Sequence, residues 1–402
     1  MKPIGTLISL EEALGICREH TAPVAEKEEI SLAGASGRVL AADITAPLPI
    51  PSFDRAAMDG YAVRSEDTFG AGEFNAVSLR CLEKIHAGSA PSREIGRGEC
   101  SQIATGAMVP RGADAVVMVE HTECRGDLIL VHKPVYPRQH ISPAGEDIKE
   151  GQAVLRRGDF LSPAKIGVLA ALGALTACVF CRPRVAVIPT GNEVVPPGGP
   201  LGKGQIYDIN SSTLKALLEA HGAEVILSGH VVEDDAGKLE EAIRAFRDFH
   251  IIIIAGGSSV GEKDLLAEAM SRLGKVLFHG IAVKPGKPTL LGKTGATLIF
   301  GMPGNPASCL SNAYIMLIPL VRAMAGLPAY EPRKVALPLA RRVVSTLGRH
   351  QFLTVKTAGG QAEPAFKTSS SITSLALADG YIEIPPLVEL LEEGTMVEVT
   401  LF

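Results

Sequence analysis

The chain has 402 residues, of which 46% are hydrophobic, and it carries a formal net charge of −5 at pH 7. A chain of this length and apolar content can bury more than one core, which excludes a disordered protein and predicts roughly two to four domains. It contains no tryptophan and only 4% aromatic residues, and its lysines and arginines are scattered, so no nucleic-acid partner is expected.

The amino-terminal stretch does not have the features of a targeting segment. It lacks the apolar run of a secretory signal, and Glu11 and Glu12 argue against a transit peptide. The longest apolar stretch, 166–180, contains glycines and is shorter than the about 18 residues of a membrane span, so it predicts a core helix followed by a strand. We therefore expect a cytoplasmic protein without a membrane partner. Cys178 and Cys181 have C-x-x-C spacing, but they lie in an apolar segment with no second pair or histidine nearby, so buried thiols are expected rather than a metal or redox site.

The amino-terminal region is typical of helices and turns. Ser9 caps a helix that begins at Leu10, and Ser162-Pro163 caps a second one. Between them, a proline-spaced extended segment leads into PSFDRAAMDGYAV at 51–63. Its two acids, five residues apart, either present carboxylates at a site or cap turns.

Residues 62–140 consist of short apolar runs broken by glycine, which is the pattern of a compact β-rich module. Within this module, ATGAMVP at 104–110 forms a loop of small residues. Thr105 offers a hydroxyl there, together with free backbone N–H groups.

After Arg182-Pro183 the pattern changes to strands alternating with helices, which predicts a mostly parallel sheet wound with helices. In such sheets ligands bind beyond the carboxyl ends of the strands. Three of the predicted strands end in loops rich in glycine and polar residues. The loops are TGNE at 190–193, GGSSVG at 256–261 and GMPGNP at 301–306.

The loop at 256–261 follows four isoleucines and precedes an amphipathic helix. Such a turn exposes N–H groups at a positive helix end and favours an anion. Asp264 in the first helical turn is either an acid that a divalent cation bridges to that anion, or an ordinary helix-start acid.

Lys284 and Lys287 lie on a stiff Pro-Gly-Pro loop, KPGKP, which can hold their ammonium groups ready for a phosphate or an oxyanion. The nearby GKT at 292–294 does not complete a phosphate loop, because residue 287 is lysine where that motif requires glycine.

Short alternating strands after Pro328 predict a small closing β-domain that carries Arg349 and a serine run at 369–371. The predicted fold is thus a multidomain α/β and β protein with a doubly wound, mostly parallel α/β domain. The predicted domains are a helical amino-terminal domain at 1–50 and 142–181, an inserted β-rich domain at 51–141, the α/β domain at 182–327 and a carboxyl-terminal β-domain at 328–402.

Six motifs, in order, together resemble the molybdopterin molybdenumtransferase family, known as MoeA, which includes the E domain of gephyrin. They are PSFDRAAMDGYAV, TGAMVPRGADAVV, PTGNEV, GGSSVGEKD, KPGKP and GMPGNPAS. The resemblance covers nearly the whole chain. It implies an α/β domain of the molybdopterin-binding type and an enzyme that takes adenylylated molybdopterin and molybdate, cleaves the adenylyl group and leaves molybdenum on the dithiolene.

The resemblance also implies a magnesium cofactor and a homodimer of four-domain subunits, with each site shared between two subunits. Its implied metal ligands are Glu193 and Asp264. The implied catalytic residues are Asp59, Thr105, Asp147, Lys284, Lys287 and Arg349, the first two coming from the partner subunit. The implied substrate- or cofactor-binding residues are Thr190, Gly191, Asp208, Gly256, Gly257, Ser258, Gly304, Asn305, Ser371 and Arg138.

Some positions match less closely. Either Asp234 or Asp235 corresponds to a family acid, and Asn192 stands where the family often has aspartate. The stretch after Arg349 and the serine run match more loosely, which leaves the choice between molybdate and tungstate open.

Two other functions remain open. A molybdopterin adenylyltransferase shares the TGNE and GNP loops but normally consists of the α/β domain alone. In a non-catalytic scaffold of the gephyrin type we expect other residues in place of the acids and lysines of the site, whereas this chain has these acids and lysines. The upstream adenylyltransferase is a further expected partner.

Overall fold

The structure, a computed structural model, describes residues 7–256 and 265–402. Within them the chain forms two compact units. The α/β unit comprises residues 7–28, 37–39 and 179–402, and the insert unit comprises residues 29–36 and 40–178. This division is coarser than the four predicted domains, whose boundaries stay a prediction.

The insert unit is built on a six-stranded mixed sheet. Its strands in spatial order are Ala115–Met118, Gly60–Val63, Glu99–Ile103, Val77–Ile85, Leu128–Val131 and Thr122–Arg125. One face buries a core that includes Tyr61, Leu79 and Ile129. The β-rich pattern of 62–140 is therefore confirmed.

Shorter elements complete the insert unit. Strand Ile44–Thr45 pairs with Ala153–Leu155, and Arg55–Ala56 pairs with Ile141–Ser142. The predicted cap at Ser162 is confirmed, because its hydroxyl accepts a hydrogen bond from the N–H of Lys165 at 3.5 Å. The remaining elements are helix Pro163–Ala171 and the 3₁₀ turns Leu32–Gly34, Ser65–Thr68 and Val119–His121. The chain passes between the two units within strands Lys27–Ser31 and Thr176–Phe180.

The α/β unit contains a six-stranded sheet at its centre. Its strands are β1 (Arg184–Pro189), β2 (Glu224–Leu227), β3 (Ile251–Ala255), β4 (Lys275–His279), β5 (Leu290–Thr294) and β6 (Thr297–Met302). They lie in the order β2-β1-β3-β6-β5-β4. The first four are parallel, whereas β5 and β4 extend the sheet in antiparallel fashion.

Helices cover both faces of this sheet, so the doubly wound prediction is confirmed. Successive isoleucines of β3 point to opposite faces: Ile251 and Ile253 pack on one helical layer, and Ile252 and Ile254 pack on the other. One layer contains helices Leu10–Glu19, Asn210–Ala220, Pro306–Asn312 and Ile318–Met324, and the other contains Ala236–Ala245 and Leu265–Leu273.

Helix Ala236–Ala245 ends shortly before β3. The N–H of Phe246 bonds back to the carbonyl of Ile243, which closes the last turn. Phe249 then packs edge-to-face on Phe246, with ring centroids 5.2 Å apart, and leads directly into β3.

The amino-terminal helix Leu10–Glu19 belongs to the core of the α/β unit. Its buried Ala13 and Cys17 join the cluster formed by the sheet and the helices on that face. The chain before this helix is fixed too, since the N–H of Ala282 donates to the carbonyl of Ile8 at 2.8 Å.

Among the described residues, one continuous helical segment, Pro306–Met324, is long and apolar enough to cross a membrane by length and composition alone. It has 19 residues and a π-helical turn at Ala313–Leu317. Since 67% of it is buried inside the protein, its apolar surface is already covered by the α/β core.

The carboxyl-terminal part forms a second large sheet within the α/β unit. Its strands are Val283–Lys284, His350–Ala358, Gly380–Ile384, Met396–Leu401 and Lys334–Pro338 in spatial order, with Gln361–Pro364 paired to His350–Ala358. Strand Val343–Val344 pairs separately with Leu390–Leu391, and a short helix spans Thr373–Ala376. The first strand of this sheet therefore comes from the KPGKP loop, far earlier in the chain.

Candidate functional site

The three strands that precede the predicted ligand-binding loops end at one edge of the α/β sheet. Because β1, β3 and β6 are adjacent and parallel, their carboxyl ends lie side by side. Residues from all three ends line a cleft of about 1040 Å³, including Thr190, Gly191, Glu193, Gly256, Gly304 and Asn305. The cleft thus lies where ligands bind in doubly wound sheets.

Two of these loops approach each other backbone to backbone. Gly256 has a φ of +115°, and a Cβ atom added to it would lie 2.3 Å from the carbonyl oxygen of Thr190. A Cβ on Gly304 would lie 3.7 Å from the Cα of Gly256. Glycine is required at 256 because any side chain would push the ends of β1 and β3 apart.

Buried polar atoms without partners remain at this edge. The hydroxyl of Thr190 and the Oδ1 atom of Asn210 have no hydrogen-bond partner among the described residues. The Nδ2 of Asn210 donates to the carbonyl of Gly304 at 2.9 Å, which fixes the amide. Asn210 was not among the predicted site residues, although its position two residues after Asp208 and at the start of a helix was an available signal.

Asp208 has a structural role as well as a place in the cleft lining. Its Oδ1 accepts a hydrogen bond from the N–H of Ser211 at 3.0 Å and so satisfies the first turn of helix Asn210–Ala220. The adjoining wall is apolar: Ile206, Tyr207 and Ile209 line the cleft and are 55%, 38% and 37% exposed. This wall suits a flat ring system.

The structure distinguishes the two neighbouring aspartates. Asp234 lines the cleft, whereas Asp235 caps helix Ala236–Ala245 by accepting from the N–H of Lys238 at 3.0 Å. This backbone hydrogen bond lowers the pKa of Asp235. The N–H of Asp234 in turn donates to Oδ1 of Asn192 at 3.3 Å, a bond that an aspartate at 192 could accept equally well.

The residues that line the cleft include two exposed carboxylates, Glu193 and Asp234. Within 7–256 and 265–402, no group of three or more His, Cys, Asp or Glu side chains is arranged to hold a metal ion. The predicted metal ligand Asp264 and the predicted binding residues Gly257 and Ser258 lie outside the described residues.

The loop at 284–288, called the lysine loop because it carries Lys284 and Lys287, is held in place by the buried Asn312. Gly286 has a φ of +102°, and its carbonyl accepts from Nδ2 of Asn312 at 2.9 Å. The same Nδ2 lies 2.7 Å from the hydroxyl of Thr289. Lys287 is half-buried on this loop, and its neighbour Pro288 lines the cleft.

The carboxyl-terminal sheet places two further predicted residues beside this loop. Lys284 donates to the hydroxyl of Thr346 at 2.8 Å. Its strand pairs in parallel with His350 and Gln351, directly after the half-buried Arg349. The structure therefore brings Lys284 and the Arg349 segment together, as the resemblance implied for the site.

The serine run contacts the loop after β6. Asn305 donates through Nδ2 to the hydroxyl of Ser369 at 3.0 Å. Ser370 lines the cleft, whereas the hydroxyl of the predicted residue Ser371 lies 2.8 Å from that of Thr368. The run thus reaches the cleft through Ser370 rather than through the predicted serine.

The insert unit has a polar cluster of its own, and it contains the remaining predicted residues. Oδ1 of Asp59 accepts from both the N–H and the hydroxyl of Thr105, at 2.7 and 2.9 Å. The backbone hydrogen bond, and then the hydroxyl, lower the pKa of Asp59, so this exposed carboxyl is ionised at neutral pH.

Arg138 lies on the same unit with a φ of +64°, and its Nη2 is 3.9 Å from Oδ2 of Asp54. Asp54 also accepts from the N–H of Ala144 at 2.7 Å. Asp147 is exposed nearby in sequence, and its N–H donates to the carbonyl of Ile50. The insert unit therefore joins the 51–63 motif to both 104–107 and the 138–147 segment.

Comparison with protein-family models assigns nearly the whole chain. The model for the MoeA N-terminal region (domain I and II) matches residues 8–173. The model described as "Probable molybdopterin binding domain" matches residues 186–323, and the MoeA C-terminal region (domain IV) matches residues 336–402.

Individual relatives agree with this assignment. Molybdopterin molybdenumtransferase 2 from Mycobacterium tuberculosis is 37% identical over 398 residues, covering 96% of each chain. A molybdopterin molybdenumtransferase from Haemophilus influenzae is 36% identical over 321 residues, covering 80% of this chain and 78% of the relative. The crystal structure of a molybdopterin biosynthesis MoeA protein from Pyrococcus horikosii has 41% identity and a TM-score of 0.86, and covers 98% of this chain and 99% of its own. The chain therefore belongs to the MoeA family of molybdopterin molybdenumtransferases.

Proposed function

We propose that the protein inserts molybdenum into molybdopterin, taking adenylylated molybdopterin and molybdate and releasing AMP. The observation that carries this proposal is the cleft at the carboxyl ends of β1, β3 and β6, in a chain that is related to molybdopterin molybdenumtransferases over nearly its whole length. The coarser statement, a transferase acting on molybdopterin, rests on the family. The adenylylated substrate and the AMP product are our proposal.

The cleft matches a flat ring joined to phosphates. Its apolar wall of Ile206, Tyr207 and Ile209 can cover a pterin or adenine ring. The unpartnered hydroxyl of Thr190 and the amide oxygen of Asn210 can take up donors on that ligand. Backbone N–H groups at the strand ends favour the phosphate oxygens.

Molybdate is a dianion, and the lysine loop supplies the positive charge. Lys284 and Lys287 are held on one fixed loop, and Arg349 precedes the strand that pairs with it. We assign these three cations to molybdate and to the phosphates of the substrate.

Magnesium fits the donors present at the cleft. Mg²⁺ prefers oxygen ligands and commonly uses one or two carboxylates, with waters and substrate phosphates as its other ligands. Glu193 offers an exposed carboxylate there, and Asp234 offers a second one. We propose that Glu193 and Asp264 hold the ion, which when bound offsets charge on the phosphate linkage.

We further propose a homodimer in which Asp59 and Thr105 complete the site of the partner subunit. Their mutual hydrogen bonds keep the Asp59 carboxylate oriented and ionised. Arg138 and Asp147 lie on the same unit and are assigned with them. A cytoplasmic location and delivery of substrate by the upstream adenylyltransferase belong to the same proposal.

The test follows AMP release from adenylylated molybdopterin with purified protein and magnesium, in separate reactions with molybdate, tungstate and no oxyanion. We expect AMP release that depends on molybdate and metal insertion that accompanies it. A parallel reaction with molybdopterin and ATP measures pyrophosphate. Pyrophosphate release there, without AMP release in the first reaction, would identify an adenylyltransferase instead, and no turnover in either would favour a scaffold.

A further inference from the structure

The ammonium group of Lys284 is held by a residue to which no role has been assigned. Lys284 Nζ donates to Oγ1 of Thr346 at 2.8 Å, and both side chains are half-buried. Among the described residues no carboxylate forms an ion pair with Lys284. The neutral hydroxyl therefore orients the lysine without cancelling its charge.

Thr346 is itself fixed by the sheet to which Lys284 belongs. The hydroxyl of the preceding residue, Ser345, donates to Oε1 of Gln351 at 3.0 Å, and the N–H of Ser345 donates to the carbonyl of Glu389 at 2.7 Å. Ser345 and Gln351 are 8% and 6% exposed. Gln351 is also the register partner of Lys284. Lys284 thus contacts Thr346 through its side chain and Gln351 through strand pairing. Because Gln351 also holds Ser345, the residue next to Thr346, the position of the Thr346 hydroxyl relative to Lys284 is fixed.

This arrangement has a consequence for anion binding. A free lysine side chain has large rotamer entropy, which is lost when its ammonium group engages an anion. An ammonium group has three donors, and a hydroxyl acceptor occupies only one of them. Lys284 is thus ordered in advance and keeps two donors for a ligand.

We propose that Thr346 is a positioning residue for the oxyanion site: it holds the Lys284 ammonium in place for a tetrahedral dianion. The inference rests on the proposed function of Lys284 and deepens it, because it makes the loop before strand His350–Ala358 responsible for oxyanion affinity. It gives Thr346 no part in the reaction itself.

The test compares Thr346→Val, which keeps the shape and removes the acceptor, with Thr346→Ser, which keeps the acceptor. Thr357→Val is the matched control, since its hydroxyl donates to Asp379 at the far end of strand His350–Ala358. Molybdate binding is measured by calorimetry, and KM for molybdate and kcat are measured from AMP release. We expect Thr346→Val to weaken binding and raise KM about three- to tenfold with a smaller change in kcat. Thr346→Ser and Thr357→Val should stay near wild type.

A Lys284→Ala variant separates this inference from the proposed function. If Lys284→Ala weakens molybdate binding but Thr346→Val does not, the positioning role is wrong and the oxyanion site stands. If Thr346→Ser is as impaired as Thr346→Val, the hydroxyl is not the relevant group and the inference fails. If Lys284→Ala leaves binding unchanged, the oxyanion role of Lys284 fails and the inference fails with it. Thermal unfolding of each variant checks that the fold is kept.

Discussion

Gly256 is the point at which the cleft is most sensitive to a single added atom. In Gly256→Ala the new Cβ would lie 2.3 Å from the carbonyl oxygen of Thr190 and 2.9 Å from its hydroxyl. The first contact is with backbone, so it cannot be relieved by turning a side chain. The end of β3 or the loop after β1 must shift, and both line the cleft.

The cost has two parts. A non-glycine residue at the φ of +115° costs about 1–3 kcal/mol, and overpacking a buried contact costs about 1–3 kcal/mol more, for a total of about 2–6 kcal/mol. A shift of about 1 Å in a site can lower turnover by about a hundredfold. We therefore expect both the free energy of unfolding and AMP release to fall.

Gly295→Ala is the matched control. Gly295 also has a positive φ, +56°, but an added Cβ there meets no atom within 4 Å. Its φ lies in the left-handed α region, so the variant gives the cost of a positive φ, about 1–2 kcal/mol, without the steric contact. Denaturant unfolding gives the two stability changes, and AMP release gives the two activities. The reasoning is refuted if Gly256→Ala is no less stable than Gly295→Ala and turns over substrate at the wild-type rate.

Four further outcomes are expected. Asp264→Asn should abolish AMP release without unfolding the protein, and chelator should stop wild-type turnover until magnesium is restored; full activity in chelator would contradict this. Lys287→Ala should raise the KM for molybdate far more than Lys293→Ala, and equal effects would remove the lysine loop from the site. Asp59→Ala and Asp264→Ala should each be inactive, yet co-expression should restore about a quarter of wild-type sites, whereas confirmed heterodimers without activity would place the site within one subunit. Thr105→Val should raise the pKa of Asp59 only part of the way to its ordinary value, as measured by NMR titration, because the larger cause, the backbone N–H of Thr105, remains. Since the folded-state pKa is lowered, the stability from this contact is present above the ordinary carboxyl pKa and is lost as pH falls through the lowered one.

The central sheet could be predicted because its signals are local. The four isoleucines of β3 are fully buried, as a continuous β-branched run indicates, and the carboxyl ends of β1, β3 and β6 lie together because adjacent parallel strands end at the same edge. The cap at Ser9 was equally readable: its hydroxyl accepts from the N–H of Glu12 at 3.0 Å. For these elements, composition, residue spacing and chain direction are enough to predict the structure.

The details of the candidate site depend on pairings between distant segments. That Lys284 lies opposite Gln351 follows from the register of a parallel pair, and no local pattern encodes that register. The hydrogen bond from Asn312 to the carbonyl of Gly286 requires helix Pro306–Asn312 to pack against a loop that precedes it in the chain. The choice between Asp234 and Asp235 depended on where one helix begins, a boundary that sequence patterns place only within a few residues.

The packing of helix Leu10–Glu19 in the α/β core has a consequence for synthesis. The cluster that buries Ala13 and Cys17 includes residues of helix Ile318–Met324, so helix Leu10–Glu19 leaves the ribosome roughly 300 residues before that part of its core. At about 5–20 residues per second this is about 15–60 s. For that time the apolar face of the nascent helix, which also carries Leu10 and Leu14, lacks part of its native core. Helix Leu10–Glu19 thus needs either shielding by a chaperone or an unfolded state until translation has passed β6 and the helices that follow it.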